Sequence, residues 1–104
     1  MKFIITESKL EKVVFNYLDT IFEIVEYYDN YWVRYKDSGN VVASVVDGKY
    51  KVSSHALSEI KQMFTMESIQ SDIFFLNWVE SKIGFTTTGY SITPYTLYIP
   101  SYVK

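Results

Sequence analysis

Residues 22–52 read FEIVEYY-DN-YWVRYK-DSGN-VVASVV-DG-KYKV, four runs rich in β-branched and aromatic residues cut by turn-forming pairs. Such runs predict β-strands, and connections this short join only antiparallel neighbours. Asp47-Gly48 suits a type I′ turn, where both central residues take positive φ. That turn sets Val45 opposite Tyr50 and Ala43 opposite Val52 on one face, and Ser44 opposite Lys51 and Val46 opposite Lys49 on the other. For the preceding connection, a three-residue loop Asp37-Ser38-Gly39 with Gly39 left-handed in a bulge places Tyr31, Val33 and Tyr35 on the face of Val41, Ala43 and Val45. A four-residue loop would turn Arg34 and Lys36 inward, and burying two unpaired cations costs far more than a bulge. Asp29-Asn30 is read as a further two-residue turn that sends Phe22, Ile24, Glu26 and Tyr28 to the core side. It matches Glu23 with Lys36, Val25 with Arg34 and Tyr27 with Trp32 on the outer side.

Outward from these strands the spacing changes to that of helices. Leu10, Val13, Val14, Tyr17, Leu18 and Ile21 fall on one helical face, and Thr6 or Ser8 is placed to cap it, Ser8 with Glu11 forming a capping box. After the strands, Ser53 or Ser54 caps a helix with Leu57, Ile60, Met63 and Phe64 on one side, where Met63 and Met66 beside Phe64 fill core. A third helix follows, its stripe made by Ile69, Ile73, Leu76, Val79 and Ile83, widened by Phe74, Phe75 and Trp78 and ended by Lys82 and Gly84. From Phe85 the chain is rich in Thr, Tyr and Pro, and residues 95–99, between Pro94 and Pro100, fit an edge strand and no central one.

The segment 2–10, KFIITESKL, followed by the helix through Tyr17, Leu18 and Asp19, resembles the start of small uncharacterised proteins from marine phage and metagenomic sequence. The resemblance implies an origin and carries over no functional residue.

The fold class expected is α+β: a four-stranded antiparallel meander packed on one face by an N-terminal helix and two C-terminal helices, in one domain over residues 1–104. A hydrophobic share of 48% excludes disorder and supplies a core. Ten basic against 12 acidic residues give a net charge of -2, which offers no general field for nucleic acid or an anionic membrane. The apolar run of residues 1–5 stops at Thr6, too short for a membrane helix or a signal peptide, so the chain reads as soluble and cytoplasmic, in the host cytoplasm if it is phage-encoded. With no cysteine there is no disulfide, thiol nucleophile or thiolate metal site.

Catalytic patterns are sparse. His55 is the only histidine, which rules out a two-histidine metal pair or relay, and at a helix start it reads as an exposed first-turn residue. Glu26, a carboxylate on an apolar face, is the better candidate for acid or base, unless an edge position returns it to water. Asp37, Asn40 and Asp47 lack the spacing of a calcium loop and are turn residues. No Gly-rich phosphate loop occurs. The sequence therefore points away from an enzyme and names no metal and no cofactor.

The outer sheet face is where function is expected. It gathers Val25, Tyr27, Trp32, Arg34, Lys36, Val42, Val46, Lys49 and Lys51, and Tyr, Trp and Arg are the types that dominate binding hot spots. Its binding residues are Tyr27, Trp32, Arg34, Lys36, Lys49 and Lys51. The leading partner is a protein, including a second copy of the chain as a homodimer, since one self-complementary patch is then buried twice. The alternative is single-stranded nucleic acid, with rings stacking bases and cations following phosphates. Set against both is a sheet face covered by residues 85–104 or by the third helix as a second small core.

Overall fold

The computed structural model describes residues 7–65, 67–94, 97–101 and 103. The elements are α1 (Glu7–Ile21), β1 (Phe22–Tyr27), β2 (Asn30–Tyr35), β3 (Val41–Val46), β4 (Lys49–Ser53), α2 (Ser54–Phe64), α3 (Ser68–Ile83) and β5 (Gly89–Thr93). They form one five-stranded sheet in the order β1-β2-β3-β4-β5, antiparallel except for the last pair. The α+β class and the meander stand as expected. The fifth strand does not: it is Gly89–Thr93, not residues 95–99, and it lies parallel to β4, which the long connection through α2 and α3 makes possible. Residues 95 and 96 lie outside the described residues, as do residues 1–6 and Met66, and the side chains of Ser8 and Ile69.

The three hairpin connections differ in how well their chemistry specifies them. Asp47 and Gly48 take φ of 54° and 78°, and every pairing derived from that turn is present. The first turn sits one residue earlier, on Tyr28 and Asp29 at φ of 46° and 65°, because Asn30 belongs to β2, where its Oδ1 accepts the Asp47 amide at 3.1 Å. Pairing therefore moves by two residues: faces are kept but partners change. Glu23 meets Arg34 and Val25 meets Trp32, while Tyr28 projects into solvent instead of toward the core.

In the second connection Gly39 is left-handed, with φ of 76°, but the loop closes on Tyr35 and Asn40, whose backbone bond is 2.9 Å. This leaves the stretch 36–39 as a four-residue loop, and the extra residue is absorbed inside β3, where Val33 pairs with Ala43 and Arg34 with Val41. The bulge restores parity, so Arg34 stays outside without the three-residue loop. Its consequence reverses two expectations: Val42 joins the main core, and Val41 turns to the outer face.

The main core lies between the sheet and the three helices, with Val14, Leu18, Phe22, Val33, Ala43, Val52, Ala56, Ile60, Phe75 and Trp78 buried in it. Its centre is aromatic, with Phe75 5.6 Å from Phe22 and 5.8 Å from Trp78. The aromatic side of α3 is thus the core side, and Ile73 from the expected stripe is exposed, as are Val13 and Met63. Ser53 caps α2 by accepting the His55 amide at 3.3 Å, and Gly84 ends α3 at φ of 88°.

Asp19 fastens the ends of α1 and α3. Its Oδ1 accepts from Lys82 Nζ at 2.7 Å and from Trp78 Nε1 at 2.9 Å, while Lys36 Nζ donates to its backbone carbonyl at 2.7 Å. The Lys82 bond, followed by that from Trp78, holds the carboxyl below its ordinary value of 3.8. A depressed folded value means that this stabilisation is present above the unfolded value and is lost as pH falls through the folded one. Asp19→Asn is accordingly expected to show a shallower fall in melting temperature between about pH 4 and pH 2 than the wild type. Parallel acid-melting curves would refute the assignment.

Candidate interaction surface

The outer face divides into a covered half and an open half. Over β1, β2 and the start of β3 lie residues 97–101 and Val103, a strap tied to the sheet by a bridge between Leu97 and Val41. Leu97, Ile99 and Val103 pack there with Val25, Tyr27, Trp32, Val41 and Val46 as a second hydrophobic cluster. Trp32 is only 4% exposed. The outward indole expected to dock a partner is therefore the centre of a small core built by the chain itself. Beside it Arg34 Nε donates to Glu23 Oε1 at 2.7 Å, and a recess of about 350 Å³ separates Arg34 from Tyr98 and Pro100. Both partners of that pair are partly exposed, which limits it to about 0–1 kcal/mol.

The six residues expected to act together are thus dispersed. Tyr27, Trp32 and Arg34 lie beneath or beside the strap, with Tyr27 partly covered and stacked edge-on to Tyr28 at 4.5 Å. Lys36 has left the face altogether, since the bulged hairpin turns it toward Asp19 on the helix side. Only Lys49 and Lys51 remain on the open half. A base-stacking platform of Tyr27 and Trp32 is not assembled, because the indole is enclosed.

Glu26 also falls where the edge reading put it. β1 borders the sheet, and Glu26 is exposed beside a cleft of about 470 Å³ that also holds Tyr31, Lys36 and Lys82. His55 stands in the first turn of α2 and is largely exposed, its Nε2 2.9 Å from Glu59 Oε1. The other oxygen of Glu59 accepts the Tyr35 hydroxyl at 2.7 Å. Burial and then Glu59 push the Tyr35 pKa far up, so the phenol stays a donor, and the three residues clamp α2 to β2. Sequence spacing joined His55 to no partner; the i,i+4 Glu59 was the readable half of this clamp.

The open half is built by β3, β4 and β5. Lys49 and Lys51 are two apart on β4, so both point outward, next to Gly89 and Ser91 of β5. With Ser44 and Val46 they line a groove of about 560 Å³. On the opposite face Tyr90 and Ile92 pack toward the helices, and Tyr90 stacks against Tyr50 at 5.6 Å while remaining half exposed. Its hydroxyl is pushed to about 12 by partial burial and by a hydrogen bond to Asp72. Residues 89–93, GYSIT, were legible as a strand from the alternation of Tyr90 and Ile92 between Gly89 and Pro94.

The two borders of the sheet differ in protection. β1 carries Glu23 and Glu26, charges of the kind that discourage pairing with another strand. β5 carries none, and no described strand pairs with its far side. Thr88 donates its amide to the Gly48 carbonyl at 2.8 Å. The Asp47-Gly48 turn makes Val46 and Lys49 a hydrogen-bonded pair and so turns the backbone groups of Tyr50 and Val52 toward β5; in the parallel register with Tyr90 and Ile92, it is the amides of Tyr90 and Ile92 that turn to the free side.

No family model, curated protein or solved structure matches the chain. The functional reading therefore rests on surface chemistry. Among the described residues no helix is long and apolar enough to cross a membrane, and no cluster of three metal-ligating side chains occurs.

Proposed function

We propose that this chain is a non-catalytic protein-interaction module that takes up an extended segment of a partner along the free edge of β5. The observation that carries the reading is the contrast between the two sheet borders, one charged and one neutral with backbone amides directed outward. Main-chain bonds give affinity in such strand addition, and alternate side chains give specificity. The phage resemblance of the leader is compatible with a small binding module and adds nothing to the choice of partner.

The test is to select extended peptides from a random library against the protein and to map them by amide chemical shifts. Ligands are expected to shift the Tyr90 and Ile92 amides, and Ile92→Pro, which removes one outward donor while sparing the β4 ladder, is expected to abolish binding, whereas Ile92→Ala, which keeps that donor, is expected to bind as the wild type does. Ligands that leave β5 unshifted, or that bind the proline variant equally well, would overturn the reading. Light scattering adds the self-association arm: a dimer that Ile92→Pro returns to monomer makes the occupant of the edge a second copy.

A further inference from the structure

Lys49 and Lys51 form no ion pair among the described residues, unlike Arg34 and Lys82, which are paired with Glu23 and Asp19. Their surroundings direct them across β5. A Cβ placed on Gly89 would lie 3.4 Å from Lys49 Cγ, so the lysine stem lies in van der Waals range of the edge strand beside a residue with no side chain of its own. Ser91 beside Lys51 is also small, and these four residues line the groove of about 560 Å³. From this we infer that the partner segment is acidic, with carboxylates on alternate residues that meet Lys49 and Lys51 over Gly89 and Ser91.

The inference rests on strand addition at β5 and names the chemistry of the strand that adds. An added strand would run about 4.8 Å beyond β5, so its outward side chains stand about 10 Å from β4. A lysine and a glutamate together span that gap over a glycine or serine. The repeat also agrees: Lys49 and Lys51 are about 7 Å apart along β4, as are side chains two apart on any strand laid alongside. A second copy of β5 supplies Gly, Tyr, Ser, Ile and Thr and no carboxylate, so charge complementarity favours a different chain.

Two hexapeptides test it, one alternating Thr and Glu and the other alternating Thr and Gln, each titrated into the protein while the Tyr90 and Ile92 amides are followed by NMR. The acidic peptide is expected to shift both amides and to bind about tenfold more tightly than its twin at low salt. That preference should vanish near 0.5 M salt, roughly where exposed charges are screened. It should vanish too in the doubly substituted Lys49→Gln, Lys51→Gln protein, whose changes are confined to exposed side chains. If both peptides shift β5 with equal affinity, the acidic preference is overturned and edge binding stands. If neither shifts β5, or if the acidic peptide shifts amides elsewhere, edge binding fails and the inference with it.

Discussion

Trp32→Ala is expected to lower stability by about 3–5 kcal/mol, the usual cost of truncating an enclosed tryptophan, and to lower the melting temperature by more than about 10 °C. The indole is 4% exposed and forms the floor on which Leu97, Ile99 and Val103 rest. Its removal opens a cavity and deprives the strap of its anchor in one step. Against a total of about 5–15 kcal/mol for a domain of this kind, that is about a fifth or more of the whole. Urea unfolding followed by circular dichroism measures it, and Trp32→Phe should recover part of the loss. A change under about 1 kcal/mol would mean that the second cluster contributes little and that the strap lies loosely on the sheet.

Tyr50→Phe is expected to act in the opposite direction, raising stability by about 1–3 kcal/mol. Tyr50 is 1% exposed, and its hydroxyl is buried with no hydrogen-bond partner among the described residues. Burial, reinforced by Tyr90, Asp72 and Glu80, pushes its pKa well above the ordinary 10, so the group is a neutral, desolvated donor. Deleting the oxygen removes a desolvation penalty and leaves the ring contacts in place. Thermal melting of the single variant decides the matter. A destabilised phenylalanine variant would show that the hydroxyl is satisfied after all.

Much of the architecture could be read from residue order, and the misreadings share a cause. Turns with one chemically preferred solution, Asp47-Gly48 above all, fixed their strands correctly. Around Tyr28, Asp29 and Asn30 several residues tolerate positive φ, and the choice falls to tertiary contacts: the Asn30 side chain holding the Asp47 amide and the pairing of Arg34 with Glu23. The bulge at Val42 was legible only as a requirement that Arg34 stay wet, which a distortion in β3 meets as well as one at Gly39. In α3 the aliphatic stripe and the aromatic ridge competed, and the larger rings took the interior because they remove more area from water.

The candidate surface was less legible than the fold. Outward direction was right for Trp32, but direction along a pleat says nothing about what a distant segment lays on top. Lys49 and Lys51 stand on the outer face as expected because their turn admits one register. The edge of β5 was missed because a parallel neighbour is fixed by the path of two helices and leaves no short-range trace in the strand itself.

That parallel pairing also bears on the order in which the molecule acquires its shape. The meander closes through contacts a few residues apart, whereas Thr88 reaches Gly48 across 40 positions of chain. Loop closure over such a separation is entropically late, so β5 is expected to dock last and to detach first. Amide exchange in the native protein would then be fastest along the border offered to a partner, and occupancy there would act as a fastener for the least durable part of the sheet.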